Sequence, residues 1–209
     1  NAAAGLIKGK MNNYTRWFRE GFANYAGFIA AEILAEDENL TAPDSNYSLA
    51  NLGHRAPFTS LSRAGGKLFK WDQFQCGHTN YDAALGLFLL IRKEHGEESI
   101  RDIARSLKGD EYIDGKGLIK IVNEQLGIDI VERVKKFKYP VFGMKAQKIT
   151  PVVKLNENIE FDRGLVVTKI DPNSLAADSG LKKGDVILKL ENKEVPSIIE
   201  FQIKMVAHL

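Results

Sequence analysis

The sequence predicts a multidomain α+β protein, with an α-helical unit over residues 1–139 and a small β-rich unit carrying helices over residues 140–209. Three observations carry that expectation. Up to about Phe137, apolar residues recur at helical spacing. At Tyr139-Pro140 the period changes, and short β-branched runs then alternate with turns rich in Gly, Asn and Asp. The length of 209 residues, 44% hydrophobic and 27% charged, suffices for one large or two small domains of ordinary composition.

The first helix is expected from about Tyr14 to Glu36. Phe18, Phe22, Tyr25, Ile29 and Ile33 form one apolar face, and Trp17, Glu20, Asn24, Gly27 and Ala31 form the opposite one. A helix that is apolar or small on all sides belongs in a core. From Asp37 to Arg63 the chain is polar, with Pro43, Pro57 and many Asn and Ser residues, and reads as a long connecting segment. Asn80 is expected to cap a second strong helix that ends at Gly96. Shorter helices follow over Glu97 to Leu107, Gly115 to Leu126 and Asp129 to Phe137, with Gly109 and Gly127 as stops. Strands are expected over Met144 to Ile149, Gly164 to Ile170 and Val186 to Leu190, then a hairpin at Glu191 to Glu194 and a helix from Ser197 to Ala207.

Composition excludes some functions. A net charge of +2, from 29 basic and 27 acidic residues, gives no overall field for nucleic acid or anionic lipid. The basic run Arg133 to Lys138 closes an amphipathic helix, where cations meet the helix C-terminus favourably. No run of about 18 apolar residues is present, so no membrane span is expected. The single cysteine, Cys76, cannot form an internal disulfide, and Cys76-Gly77-His78 is too small a set for a tetrahedral metal site. None of the four histidines, His54, His78, His95 and His208, lies four residues from another, so the chain has no two-histidine helical metal platform.

Glu20 is the anomaly. A carboxylate buried on the first helix needs compensation by a cation or by hydrogen-bond donors. An i,i+4 pair with Arg16 is one answer, worth about 0.2–0.5 kcal/mol on an exposed face. A metal ion is the other.

Trp17, Glu20, Gly21, Phe22, Ala23 and Tyr25 form a pattern that resembles the third-ligand helix of the gluzincin metallopeptidases, the aminopeptidase N and glycyl aminopeptidase lineages. The resemblance implies that Glu20 is a zinc ligand, joined by two histidines from an upstream His-Glu-x-x-His helix whose own Glu is the general base. This chain contains no His-Glu-x-x-His. It is therefore expected to be a fragment that is inactive alone, with zinc held only by the full-length parent. Tyr81, near the start of the second helix and followed by Gly86 and Gly96-Glu97, resembles the gluzincin Tyr that stabilises the oxyanion. A helix-start Tyr packed on a core reads equally well.

The run from Gly164-Leu165-Val166-Val167 through Ile170, Pro172, Ser174 and Ala176-Ala177 to Ser179-Gly180-Leu181-Lys182-Lys183-Gly184-Asp185-Val186-Ile187 resembles a bacterial-type PDZ domain. Such domains add an extended peptide to a sheet edge beside a helix, and a backbone loop receives the terminal carboxylate. By resemblance that loop is Val141, Phe142, Gly143 and Met144, and Ile198, Phe201, Gln202 and Met205 line the side-chain pocket, although core packing explains part of that stripe equally well. The expected partners are peptides or protein C-termini. The chain ends straight after the last helix, so a final strand of this small barrel is expected to be missing. The expected whole is a peptidase segment with a peptide-binding module. The rival is a non-catalytic scaffold that uses only the groove.

Overall fold

A computed structural model describes residues 12–36, 57–73, 79–107, 112–139, 142–195 and 198–206. The expectations for Pro43, His54, Cys76, His78, Gly109, Val141 and His208 lie outside these residues. The described chain separates into two compact units, one reaching Lys138 and the other beginning at Tyr139. Among the described residues no helix is long and apolar enough to cross a membrane.

In the first unit α1 spans Arg16–Glu36. It begins two residues later than expected because Asn12 forms a turn, its Oδ1 accepting from the amides of Tyr14 at 2.9 Å and Thr15 at 3.0 Å. The next helix, α2, covers Pro57–Ala64, within a stretch expected to be irregular. Its apolar positions, Phe58, Leu61 and Ala64, are buried, but Ser, Thr and Arg between them hide the period in so short a helix. Pro57 stands at its first position, where a missing N–H is no loss.

A long central helix, α3, spans Thr79–His95. Asn80 is not its cap. It sits inside the first turn, buried, with Nδ2 donating to the Trp71 carbonyl at 3.2 Å. Helix α1 packs on α3 through an aromatic cluster, Phe18, Phe22 and Tyr25 surrounding Phe88 at 5.3, 6.0 and 5.9 Å between ring centroids. Gly21 allows that approach, since a Cβ there would lie 2.7 Å from Phe88 Cε2 and 2.9 Å from the Ala84 carbonyl.

Three shorter helices complete the unit: α4 Glu97–Ser106, α5 Gly115–Leu126 and α6 Ile130–Lys136. Asp114 caps α5 by accepting from Gly117 N at 2.7 Å, and Asp129 caps α6 by accepting from Val131 and Glu132 at 3.0 Å each. Gly127 stops α5 in the left-handed region at φ +67°. Ile100, Ile103, Leu118, Val122, Ile130 and Val134 supply these helices' share of the core.

In the second unit β1 (Met144–Lys148), β2 (Leu165–Ile170) and β3 (Val186–Ile187) form an antiparallel sheet in the order β1-β2-β3. A hairpin of β4 (Lys189–Leu190) and β5 (Lys193–Glu194) turns through Glu191 and Asn192 at φ +52° and +63°. The expected strand Val186 to Leu190 is thus divided between two sheets. At the break the Leu188 carbonyl accepts from Val195 N at 3.0 Å. Helix α7, Pro151–Asn156, was not anticipated, although Thr150 caps it and Pro151 opens it. Then come α8, Leu175–Asp178, capped by Ser174, and α9, Ile198–Val206. Leu165, Val195 and Phe201 form the core, with Met144, Ala146, Ile187, Leu190, Ile198 and Met205 packed against it.

Candidate functional site

β1 is the edge strand of its sheet, and its backbone parity fixes what the free edge offers. Gly143 O accepts from Asp171 N at 2.7 Å, and Ile149 N donates to Gly164 O at 3.0 Å, so both flanks of β1 face β2. Alternation then turns the N–H and C=O groups of Met144, Ala146 and Lys148 outward and those of Lys145 and Gln147 toward β2. The register shift between Lys145 and Ala146 leaves this parity intact. The pairs Lys145–Lys169 and Ala146–Val167 make Thr168 of β2 the extra residue.

The loop before β1 is held from behind. Phe142 O accepts from Ala176 N at 2.9 Å, Gly143 O is held by Asp171, and the Ser174 hydroxyl donates to Asp171 O at 2.6 Å. All peptides here are trans, so a C=O and the N–H that follows it point in opposite directions. The Gly143 and Met144 amides therefore point away from the 171–177 turn, as two adjacent donors suited to an anion. Gly143 takes φ +73°, and a Cβ on it would lie 2.1 Å from Ser174 Cβ, which leaves no room for any other residue.

The Phe142 ring meets Phe201 edge-on at 5.8 Å between centroids. Phe201 is a core residue, whereas Ile198 and Met205 are only partly buried on the same cluster. The expected loop and helix residues thus come together, with Phe201 as floor. The sequence placed Ala146 and Lys148 within the strand Met144 to Ile149 and Ser174 within the family pattern, but strand parity and the brace behind the loop are visible only in three dimensions.

In the helical unit the structure brings Glu20 and Tyr81 to the same side chain. Arg16 Nε lies 3.6 Å from Glu20 Oε1, its Nη2 donates to the Tyr81 hydroxyl at 3.0 Å, and its guanidinium lies 5.3 Å from the centre of the Trp71 ring. Trp71 also packs edge-on against Tyr81, at 5.3 Å between centroids. Glu20 keeps 19% side-chain exposure. Among the described residues no group of three His, Cys, Asp or Glu side chains could hold a metal ion. Among the described residues Glu20 thus stands as one carboxylate beside the Arg16 cation, and zinc would need two or three further protein ligands to join it.

The PDZ-domain family model matches residues 118–207. Those residues form a PDZ domain. The match begins at Leu118, inside α5 and ahead of the division at Lys138. The chain is also similar to proteins named "Serine protease HtrA-like" from Staphylococcus aureus. It is 36% identical over 95 residues to those of strains USA300 and NCTC 8325, covering 42% of this chain and 12% of each relative. For strain MRSA252 the figures are 35% over 96 residues, 43% and 11%. The chain thus spans about an eighth of the length of these relatives. No solved structure matches it. The PDZ domain accounts for the outward edge of β1, the glycine-centred loop and the helix α9 beside them.

Proposed function

We propose that the PDZ domain binds extended peptides ending in a free carboxylate and an apolar side chain. The peptide adds as a strand to the outward edge of β1, paired with Met144, Ala146 and Lys148. Its carboxylate accepts from the Gly143 and Met144 amides, and its last side chain rests among Met144, Ile198 and Met205 above Phe201. The observation that carries this reading is the anchoring of the Phe142 and Gly143 carbonyls, which turns two consecutive amides outward. Titration with a peptide library, free and amidated at the C-terminus, tests it. Free peptides should bind and amidated ones should lose most affinity; equal binding of both would remove the carboxylate role.

The finer reading places the module in a zinc-dependent metallopeptidase. The relatives' name describes serine proteases, so it supports an association of the domain with proteolysis but not with zinc chemistry. The convergence of Glu20 and Tyr81 on Arg16 supports a shared role for these side chains, and the remaining zinc ligands would have to come from outside the described residues. Glu20→Gln in the complete protein tests the ligand role through zinc content and peptidase activity, since an amide is a poor ligand of nearly the same shape. Unchanged zinc and activity would remove Glu20 as a ligand, and a complete protein with neither zinc nor peptidase activity would favour the scaffold reading.

A further inference from the structure

The helical unit carries a cavity of about 810 Å³. It is framed by the start of α5, by α6, by the 3₁₀ turn Gly65–Phe69 and by the turn that precedes α1. Its apolar surface comes from Tyr14, Phe69, Ile119 and Val131. Its charged lining is one-sided: Lys67, Lys70, Lys116 and Lys135 against the single acid Asp114. Asp114 is engaged by the Gly117 amide as the cap of α5, and Lys135 pairs with Glu132 at 2.5 Å. Lys67, Lys70 and Lys116 form no ion pair among the described residues, and each is exposed.

We propose that this cavity binds a small amphipathic anion, an apolar chain or ring bearing one carboxylate. Its volume lies within the roughly 300–1,000 Å³ of small-molecule sites. An apolar wall with a cationic rim matches a ligand whose body leaves water while its charge stays at the mouth. Inorganic phosphate would leave the apolar wall unused, and a cationic amphiphile would face three uncompensated lysines. Gly115 belongs to the frame, because a Cβ there would lie 2.4 Å from Tyr14 Cβ and displace that wall.

The test titrates the full 209-residue chain with decanoate and with decyltrimethylammonium, which share an apolar body and differ in charge, while methyl NMR follows Ile119 and Val131. Decanoate should bind one per chain and shift both residues, with the cation at least about tenfold weaker. Each of Lys67→Gln, Lys70→Gln and Lys116→Gln should weaken decanoate roughly two- to fivefold, and the triple variant about tenfold or more. These positions are exposed, so the variants keep the fold. Raising salt should weaken binding of the anion. Equal binding of both amphiphiles, shifts confined to other residues, or an indifferent triple variant would overturn the proposal. So would a response to an acidic amphipathic peptide with none to decanoate.

Discussion

Arg16 of α1 donates a 3.0 Å hydrogen bond to the hydroxyl of Tyr81 on α3, across 65 positions of sequence. The same guanidinium lies beside Glu20, so one cation ties the carboxylate of one helix to the phenol of another. A double-mutant cycle with Arg16→Met and Tyr81→Phe should give a coupling energy of about 0.5–1.5 kcal/mol. Both tryptophans, Trp17 and Trp71, lie in the helical unit, so fluorescence-monitored denaturation reports that unit alone. Additive single effects would mean that water replaces the bond.

Gly21→Ala should destabilise the helical unit by roughly 1–3 kcal/mol, because the new methyl meets Phe88 and the Ala84 carbonyl below contact distance. Helix propensity alone predicts a gain of up to about 1 kcal/mol. The same fluorescence transition decides between the two signs.

The edge of β1 separates two proline variants. Ala146→Pro removes an outward amide and spares the bonds to β2, so the fold should persist while peptide affinity falls about tenfold or more. Gln147→Pro removes a ladder donor and should unfold the sheet. Circular dichroism with peptide titration distinguishes these outcomes, and retained affinity in a folded Ala146→Pro variant would exclude strand addition.

Gly143→Ala combines an unfavourable φ with a clash against Ser174. It should cost roughly 2–4 kcal/mol and loosen the loop. Adding Ser174→Gly relieves the clash but not the φ, so only part of the stability should return in thermal unfolding.

Tyr139 is buried, and burial pushes its phenol above the usual range. An unfolded Tyr ionises near pH 10, whereas the folded one keeps its proton. Above about pH 10 the folded state therefore binds more protons, and stability falls as pH rises. Below that pH the contribution is fully present. Tyr139→Phe should flatten the alkaline limb of the second unit, measured by amide exchange in β2. An unchanged limb would assign the effect to other groups.

Much of the helical layout was legible because its punctuation is local. Gly96 and Gly127 end α3 and α5 where expected, and the starts of α5 and α6 fall within a residue of the expected ones, at the caps Asp114 and Asp129. The PDZ domain was legible through its spaced glycines and Asp185. Helix α7 escaped because Thr150-Pro151 also reads as a strand end followed by a breaker, and α2 because its few apolar positions sit among polar ones. Asn80 was misread because its amide serves a tertiary bond to Trp71. The meeting of Glu20 and Tyr81 at Arg16 could not be read at all, since sequence shows an i,i+4 neighbour but not a partner on another helix.

The outward edge of β1 is also a template for unwanted self-assembly, because a second copy of Met144–Lys148 offers the same row of donors and acceptors. Its sequence, Met-Lys-Ala-Gln-Lys, places like charges at both lysines and so opposes in-register stacking of identical strands. Pro151 at the start of α7 stops the strand from lengthening. The exposed edge is thus short and carries two lysines, a combination that resists pairing with its own kind.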